Sequence, residues 1–438
     1  MNIKNILLLL LLSILIFTQC TIEQTPYQKT EERRAQISKD TIPIIMIHGA
    51  LASGDTYATQ AQRFSGNDYS DNYLYAFDWN SIAQSSPTAQ LDELVNEVLS
   101  VTGEEMVNLV GHSAGGGLAS EYLSDDDHAS KVNKYIHLAS FDIGGPAGST
   151  GQIPTLNIYS PADLIVPGVD INGVQNVNLP DLDHYQVATS EASFAEMFRF
   201  LHEAEASNTQ VIEEESVVLS GRVVTLGENE IKTETLVEIY RIDSETCFSE
   251  EFPVATFTTD ENGFWGDFNA EKETLYEFVI SDSSDPNFRT IHYYREAFVR
   301  SDHFVYLRAF PGPGSLAGIL LAGIPSGEDE AVVTIFSSSQ AIISGRDELS
   351  IRDLTLSNNA LTSADQSTIA IFCYDDDSSQ TTSGNPIPIF STLPFLNGVD
   401  VFLPTTEPKT NKVTFNGRKL YPRNWKAGSE GVSVVVFN

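Results

Sequence analysis

The chain has 438 residues, of which 41% are hydrophobic and 19% are charged. Domains usually contain ~100–200 residues, so this length predicts two or three of them, and the composition excludes a globally disordered chain. The formal net charge is −35, from 60 acidic and 25 basic side chains. A surface this acidic repels nucleic acid and anionic lipid at long range, so we expect no nucleic-acid partner.

Residues 1–20 have the pattern of an export signal. A positive charge at Lys4 precedes an apolar run over residues 6–17, which is too short to span a bilayer but is typical of a signal peptide. The run ends near Cys20, and a cysteine there is similar to the lipidation site of bacterial lipoproteins, although Gln19 stands where such sites have a small residue. We therefore expect an exported protein, either anchored to the cell envelope through a lipidated Cys20 or secreted.

Residues 21–40 are polar and lack apolar periodicity, which predicts a tether. From residue 41 to residue 206, apolar runs typical of buried strands alternate with amphipathic helical patterns. This alternation predicts an α/β domain with a doubly wound, mostly parallel sheet. Its predicted strands cover residues 42–47, 73–77, 106–110, 135–139, 156–159 and 174–179, and a closing helix covers residues 190–205.

An acidic linker follows the α/β domain, and the pattern then changes to short alternating runs and turns. Residues 216–309 predict a β-sandwich module, and residues 315–438 predict a second β module beyond the Pro- and Gly-rich segment 310–315. In the second module, Asn416-Gly417 between two short runs predicts a two-residue hairpin. Predicted strands of the two modules include residues 217–224, 236–242, 275–280, 304–307, 331–336, 368–373 and 432–437.

One segment has the pattern of a nucleophilic serine. Gly111-His112-Ser113-Ala114-Gly115 matches G-x-S-x-G, which places a serine at a sharp strand-to-helix turn. Such a turn strains the backbone of the serine and leaves room only for small neighbours, which the two glycines and the alanine supply. A predicted strand before the segment and a predicted helix after it provide the required context. Ser113 is therefore the candidate nucleophile.

A serine hydroxyl is a weak nucleophile and needs a base that an acid orients. In this architecture the acid and then the histidine follow the serine along the chain. His137 lies inside a predicted strand, His128 in an exposed loop and His202 on the closing helix. Only His184 follows the final predicted strand in a loop, from which a base can reach the end of the sheet, so we take it as the candidate base.

Two carboxylates compete for the role of the acid. Asp163 and Asp142 each follow a predicted strand, at the edge of an open parallel sheet where functional groups gather. We favour Asp163 and retain Asp142 as the alternative. Asp181 and Asp183 flank the candidate base and are expected to be solvated loop residues.

Acyl transfer through a serine also needs backbone N–H groups that bind the oxyanion. One is expected from Ala114, directly after the nucleophile, and the other from the turn after the first strand. That turn is His48-Gly49-Ala50, so Ala50 is the candidate second donor, and Gly49 leaves the space that the turn needs.

Metal and cofactor motifs are lacking, because the sequence contains no H-E-x-x-H, cysteine pair at metal spacing or phosphate-binding loop. The acidic runs 125–127 and 375–377 can bind calcium, but such runs are more often solvated faces. We therefore expect neither a metal nor a cofactor. For Cys247 and Cys373 a disulfide and two separate thiols remain equal alternatives.

The α/β region resembles the bacterial lipases of the α/β-hydrolase superfamily, above all the minimal Bacillus-type lipases. The stretches that carry the resemblance are residues 45–50, 110–116, 158–166 and 176–184. The resemblance implies Ser113 as nucleophile, Asp163 as acid and His184 as base. It also implies Ala50 and Ala114 as the oxyanion donors.

Residues 51–54 depart from the pattern of those lipases, which have a glycine sooner after the oxyanion turn, at the expected mouth of the acyl pocket. The whole layout is similar to a lipase group of archaea and bacteria in which a C-terminal β module contributes to binding long-chain lipid. Residues 292–303 and 424–425 carry that similarity. It implies a triacylglycerol lipase for medium- or long-chain esters, with a Ser-Asp-His triad and β modules that assist lipid binding. The alternatives are a polyester or other carboxylesterase with polymer-binding modules, and a surface binding protein with an inactive hydrolase domain.

Overall fold

The computed structural model describes residues 41–83, 86–390, 394–407 and 409–438. The predicted signal peptide, Cys20 and the tether lie outside these residues. None of the helices in the described ranges is both long and apolar enough to cross a membrane.

A six-stranded sheet forms the core of the α/β region. Its strands are β1 (Ile44–Ile47), β2 (Leu74–Phe77), β3 (Val107–His112), β4 (Val132–Leu138), β5 (Thr155–Tyr159) and β6 (Gln175–Asn178). The order is β2-β1-β3-β4-β5-β6, and every pair runs parallel. The inner strands β1, β3 and β5 are buried along their whole length, and β4 is buried from Tyr135 to Leu138, as expected for a parallel sheet with both faces covered. The predicted α/β-hydrolase fold with a doubly wound parallel sheet is therefore confirmed.

The helices of this region connect the strands. They are α1 (Ala58–Ser65), α2 (Thr88–Thr102), α3 (Ala114–Leu123), α4 (Asp126–Ala129), α5 (Gln186–Thr189) and α6 (Glu191–His202), with short 3-10 turns at Gly54–Tyr57 and Asp71–Tyr73. In α2, the side chains of Leu91, Val95 and Val98 recur at helical spacing and are fully buried. The closing helix α6 begins after Ser190, whose hydroxyl caps the N–H of Ser193.

The rest of the chain is rich in β-strands, as predicted. The strands are β7 (Val217–Thr225), β8 (Leu236–Arg241), β9 (Ala255–Thr258), β10 (Phe264–Ala270), β11 (Tyr276–Ser281), β12 (Ile291–Arg295), β13 (Leu307–Ala309), β14 (Val333–Ser337), β15 (Leu349–Ile351), β16 (Leu354–Thr355), β17 (Ala370–Tyr374), β18 (Leu396–Asp400), β19 (Val413–Phe415), β20 (Arg418–Leu420) and β21 (Val432–Phe437). A short helix, α7 (Leu316–Leu321), interrupts them. We refer to residues 217–438 as the β region.

Three sheets organise the β region. They are a three-stranded sheet in the order β10-β7-β13, a four-stranded sheet in the order β16-β15-β19-β20, and an eight-stranded sheet in the order β18-β17-β14-β21-β12-β11-β8-β9. In the largest sheet, β21 lies between β12 and β14 and runs parallel to both. Residues 216–309 and 315–438 thus share one sheet, and their division into two modules stays a prediction from the sequence.

Two local predictions in the β region have different outcomes. The hairpin at Asn416-Gly417 is confirmed: both residues have left-handed backbones, with φ of 47° and 82°, and they join β19 to β20. The strand predicted over residues 304–307 is wrong, because β13 begins only at Leu307. The Asp302 carboxylate accepts the backbone N–H of Phe304 at 2.8 Å, which turns the chain and delays the strand.

The two cysteines of the β region are unpaired. Cys373 lies in β17 and is fully buried, and this burial raises the pKa of its thiol. Cys247 lies in a turn and is half-buried. Of the two alternatives that the sequence left open, the structure therefore has separate thiols.

The junction between β3 and α3 forces the helix close to the first strand. Ser113 connects the two elements with φ 52° and ψ −121°, a left-handed backbone that is uncommon for a residue with a side chain. A Cβ atom at Gly115 would lie 2.3 Å from the carbonyl oxygen of Ile47 and 2.5 Å from that of His48. Gly117, two residues further along α3, faces open space. Of these two glycines, only Gly115 is needed for the close approach of α3 to β1.

We expect the substitution Gly115→Ala to lower the free energy of unfolding by about 1–3 kcal/mol, because the added methyl group overlaps backbone atoms that cannot move aside. The matched substitution Gly117→Ala should raise it by ~0.5–1 kcal/mol, because alanine favours the helix and meets no neighbour. Denaturant unfolding of both variants measures the difference. Equal effects of the two substitutions would contradict the close approach of α3 to β1.

Candidate active site

Ser113 lies at the carboxyl end of β3 and is 8% exposed. Its backbone N–H donates to the carbonyl oxygen of Leu138 at 3.0 Å, and its own carbonyl oxygen accepts the hydroxyl of Ser140 at 2.7 Å. Beneath it, Gly111 packs so tightly that a Cβ atom there would lie 2.7 Å from the carbonyl oxygen of Gly115. Both glycines of the motif therefore serve the packing of the turn, as the sequence predicts.

A buried acid, Asp163, follows β5, and a buried histidine, His184, follows β6. The Oδ2 atom of Asp163 lies 2.6 Å from Nδ1 of His184, and the two residues are 0% and 3% exposed. The other oxygen of Asp163 accepts the backbone N–H groups of Ile165 at 2.8 Å and Val166 at 3.0 Å. With Nδ1 of His184 as the donor to Asp163, Nε2 of the neutral ring is the nitrogen that has a free lone pair.

The Nε2 atom of His184 is buried and has no hydrogen-bond partner among the residues that the structure describes. An unpaired buried acceptor is unfavourable in a folded protein, so an atom in this state commonly marks a functional position. It is the atom that would receive a proton from a serine hydroxyl.

His112 ties the loop of His184 to the serine turn. Its Nε2–H donates to the backbone carbonyl oxygen of His184 at 2.9 Å, and the two imidazole rings lie 4.7 Å apart. Burial, and secondarily the neighbouring His184 ring, lowers the pKa of His112 well below its usual value, so this ring remains neutral. His112, the residue between the glycine and the serine of the motif, therefore binds the loop that contains the candidate base.

The candidate oxyanion donors are Ala114, which follows Ser113 in the chain, and Ala50, which follows Gly49. Within the described part of the chain, the backbone N–H groups of Ala50 and Ala114 make no hydrogen bond. Gly49 faces the serine, since a Cβ atom there would lie 3.1 Å from Cβ of Ser113. His48, just before it, is fully buried. Two backbone N–H groups without a hydrogen bond thus belong to the serine turn and to the turn that packs against it.

The alternative acid is not part of this arrangement. Asp142 is exposed, and its carboxylate accepts the backbone N–H of Gly144 at 2.7 Å. The structure thus places Asp163, and not Asp142, against His184.

The other histidines have structural surroundings. His137 is buried within β4 and bonds through Nδ1 to Oδ1 of Asn157 at 3.0 Å. His128 stacks on the ring of Tyr122 with the centroids 4.3 Å apart. His202 lies at the end of α6. The structure brings none of them against Asp163.

Asp183 differs from the expectation of a solvated loop residue. It is 5% exposed, and its Oδ2 atom lies 2.8 Å from Nη1 of Arg346 and 3.2 Å from the backbone nitrogen of Ala341. Both partners belong to the β region, far along the chain from the acid, so the sequence around Asp183 carries no signal of its role. Its carboxylate anchors the segment just before His184.

Phe395 is a second contact that the sequence analysis did not identify. Its ring stacks on the imidazole of His184, with the centroids 5.7 Å apart and the planes inclined by 19°. A ring in this position limits the orientations of the imidazole and shields it from water. The β region therefore contacts the loop of the candidate base through both Phe395 and the partners of Asp183.

One acidic cluster lies elsewhere. The carboxylates of Asp375, Asp377 and Asp400, in the β region, approach within 4.8 Å of one another. The first two accept the backbone N–H of Ser379, and Asp400 accepts that of Asp376. These backbone donors account for the convergence of the carboxylates, and the expectation that the protein needs no metal stays a prediction.

Three protein-family models match the chain. Residues 41–136, which include Ser113 and the Ala50 turn, match the family described as lipase (class 2). Residues 215–310 match the family described as lipase C-terminal domain. Residues 336–435 match a family whose description reads "-like, C-terminal domain".

Solved structures with a similar fold include a carboxylesterase from Bacillus subtilis, with 15% identity and a TM-score of 0.30 over 39% of this chain and 86% of that one. A lipase from Bacillus licheniformis has 14% identity and a TM-score of 0.31 over 38% of this chain and 94% of that one. Lipase B from Aspergillus fumigatus has 15% identity and a TM-score of 0.31 over 40% of this chain and 58% of that one. Likenesses this distant carry no argument about activity.

The α/β region therefore has an α/β-hydrolase fold and matches the family described as lipase (class 2), and the β region matches the family described as lipase C-terminal domain.

Proposed function

We propose that the protein is a serine carboxyl-ester hydrolase that acts as a lipase on medium- or long-chain acyl esters. The single observation that carries the proposal is the buried pair of Asp163 and His184, whose Nε2 atom is left without a partner at the same end of the sheet as Ser113. Such a pair has the chemistry needed to activate a serine hydroxyl.

In the proposed reaction, the hydroxyl of Ser113 attacks the carbonyl carbon of the ester. Nε2 of His184 takes the hydroxyl proton and then gives it to the departing alcohol, while Asp163 holds the ring in the required tautomer. The N–H groups of Ala50 and Ala114 bind the negative oxygen of the tetrahedral intermediate. A water molecule, deprotonated by the same histidine, then releases the acyl group as a carboxylic acid.

A mostly apolar cavity lined by both the α/β region and the β region supports an acyl chain as the substrate group. Its wall includes Leu51 beside the oxyanion turn and Tyr185 beside the candidate base. Leu320 of α7, together with Phe372 and Phe390 of the β region, adds apolar surface. A mostly apolar cavity that touches both loops suits a hydrocarbon chain attached to the reacting carbonyl. The proposed part of the β region in lipid binding is to line this cavity.

Two exposed apolar side chains favour a lipid, rather than a small soluble ester, as the proposed substrate. Phe141 lies in the loop after β4 and Leu164 in the loop after β5, and both side chains are exposed. Exposed apolar side chains near a catalytic edge are typical of surfaces that contact lipid or protein.

Export remains a proposal from the sequence. The signal over residues 1–20 and the lipidation of Cys20 lie outside the described residues. An anchored and a secreted form both place the enzyme where extracellular esters are available.

The alternative substrates use the same chemistry. A polyester hydrolase would attack a polymer rather than a separate acyl chain, and a cavity lined by both regions of the protein favours the separate chain. A binding protein with an inactive hydrolase domain would have no need for an intact acid and histidine pair with a free Nε2 atom.

We expect Ser113→Ala to lower the hydrolysis of a soluble p-nitrophenyl ester by ~10⁴–10⁶-fold, because the nucleophile is removed. The matched variant Ser124→Ala, at the end of the same helix, should keep the wild-type rate. A serine-reactive phosphonate, followed by peptide mapping, should label the wild-type protein at Ser113. Full esterase activity of folded Ser113→Ala protein would rule out this mechanism, and failure of labelling would favour the binding protein.

Replacing Asp163 by Asn should lower kcat by about 10⁴-fold, because the neutral amide no longer stabilises the required tautomer and charge of His184. Asp142→Asn is the matched control and should leave kcat at the wild-type value. Steady-state kinetics with the same soluble ester measure both. The reverse ranking of the two variants would assign the acid to Asp142.

The cavity predicts an effect on chain-length preference. Leu320→Trp fills the cavity and should lower activity on the palmitate ester by roughly tenfold relative to the butyrate ester. Ile319→Trp changes the exposed neighbour on the same helix and should leave the ratio unchanged. A series of p-nitrophenyl esters, run beside emulsified triglyceride and a polyester film, tests this and the polymer alternative together. An unchanged ratio in Leu320→Trp would place the acyl chain elsewhere.

A further inference from the structure

A turn of the β region reaches into the α/β region directly behind the candidate oxyanion turn. After β7, residues 226–229 reverse the chain, and the backbone N–H of Asn229 donates to the carbonyl oxygen of Thr225 at 3.1 Å. Asn229 is 7% exposed and has φ 56°, a left-handed backbone that asparagine tolerates better than most residues. The turn thereby projects the side chain of Asn229 away from its own sheet.

The amide of Asn229 contacts several groups of the oxyanion turn. Its Nδ2 atom donates to the carbonyl oxygen of Ala52 at 2.8 Å and to that of Trp79 at 3.0 Å, and it lies 3.2 Å from Nε2 of His48. Its Oδ1 atom accepts the hydroxyl of Ser53 at 2.5 Å. Because Nδ2 has two protons and three acceptors, one N–H is shared between two of them. The amide is thus fully used by residues 48–53 and by Trp79, all in the α/β region.

These contacts also determine the tautomer of His48. Its Nε2 atom faces two donors, the amide of Asn229 and the backbone N–H of Trp79 at 3.3 Å, so Nε2 must be the unprotonated nitrogen. The proton is therefore on Nδ1, which donates to the carbonyl oxygen of Gly49 at 2.8 Å. Burial is the main cause that lowers the pKa of His48 and keeps the ring neutral, as this arrangement requires.

The orientation of the Gly49 carbonyl affects the next peptide N–H, which belongs to Ala50. A carbonyl oxygen and the N–H of the same peptide group point in opposite directions, because the peptide is planar and trans. Fixing the Gly49 carbonyl toward His48 therefore fixes the direction of the Ala50 N–H. Gly49 also packs against Cβ of Ser113, so this peptide group lies beside the nucleophile.

We propose that Asn229 is a positioning residue for the oxyanion hole: through His48 and Ala52 it holds the turn whose Ala50 N–H binds the negative oxygen. This inference rests on the proposed function, with Ser113 as the nucleophile. It assigns to the β region a part in the chemical step, in addition to the lining of the acyl cavity. Asn229 itself does not touch the reacting atoms and acts through the turn.

Other contacts between the two regions provide a matched control. The hydroxyl of Tyr306 donates to Oδ2 of Asp78 at 2.7 Å, and Arg222 pairs with the same oxygen at 3.0 Å. These bonds also hold the β region against the α/β region, but both end on Asp78 and neither contacts His48 or Ala52. A residue that only joins the two regions should therefore behave like Tyr306, and a positioning residue should not.

The test compares Asn229→Ala with Tyr306→Phe in the full-length protein, using a short soluble ester that does not depend on the acyl cavity. Deleting one oxyanion donor lowers kcat by ~10²–10³-fold, so misplacing one should lower kcat by roughly 10–100-fold with little change in KM. Inhibition by a trifluoromethyl ketone, which forms a tetrahedral adduct, should weaken by a similar factor. Tyr306→Phe should lower the midpoint of denaturant unfolding but keep kcat and the inhibition constant.

Asn229→Asp keeps the size and the left-handed backbone and removes the N–H donors, so it tests the same contacts if the alanine variant does not fold. In either folded variant, an unchanged kcat and an unchanged inhibition constant would overturn the proposal. A loss of kcat of the same size in Tyr306→Phe would overturn it as well, because the effect would then belong to the contact between the regions. Activity retained by Ser113→Ala would instead overturn the proposed function itself, so the two failures are distinguishable.

Discussion

The contact between α3 and the end of β1 is the constraint on which the rest of the site depends. Ser113 can connect β3 to α3 only with a left-handed backbone, and the helix then passes within van der Waals distance of the carbonyls of Ile47 and His48. Such a backbone persists only where the surrounding packing enforces it. The serine turn and the turn after β1 are therefore one rigid assembly, and Gly115 permits their contact.

The β region contacts the two loops that flank this assembly from opposite sides. Asn229 binds the turn after β1, and Phe395 and Arg346 contact the segment around His184. Buried amides, ion pairs and stacked rings each restrict the side chain that they contact, and together they leave the loops few alternative conformations. The α/β region has the residues proposed for acyl transfer, while the β region supplies contacts that restrict them.

The parts of the molecule that could be predicted from the sequence are those with a local signal. Continuous apolar runs predicted the parallel strands, and the small residues around Ser113 predicted the serine turn. The roles of Asn229 and Asp183 have no such signal, because their partners are distant in sequence and the residue types are common in ordinary turns. The same reason explains the shared sheet: β21 is a recognisable strand, but nothing near it specifies which strands it will join.

The central position of β21 has a consequence for the order of synthesis. The strands on either side of it, β12 and β14, leave the ribosome earlier and have no partner at those edges until β21 arrives. Unpaired edges of this kind invite association with other chains, so the nascent β region is exposed to aggregation for the time that translation of the intervening segment takes. The sheet of the α/β region needs only earlier residues and can form first, whereas the contacts that the β region makes with its loops form later. The α/β sheet would therefore form early in synthesis, whereas the proposed activity would appear only after the β region is complete.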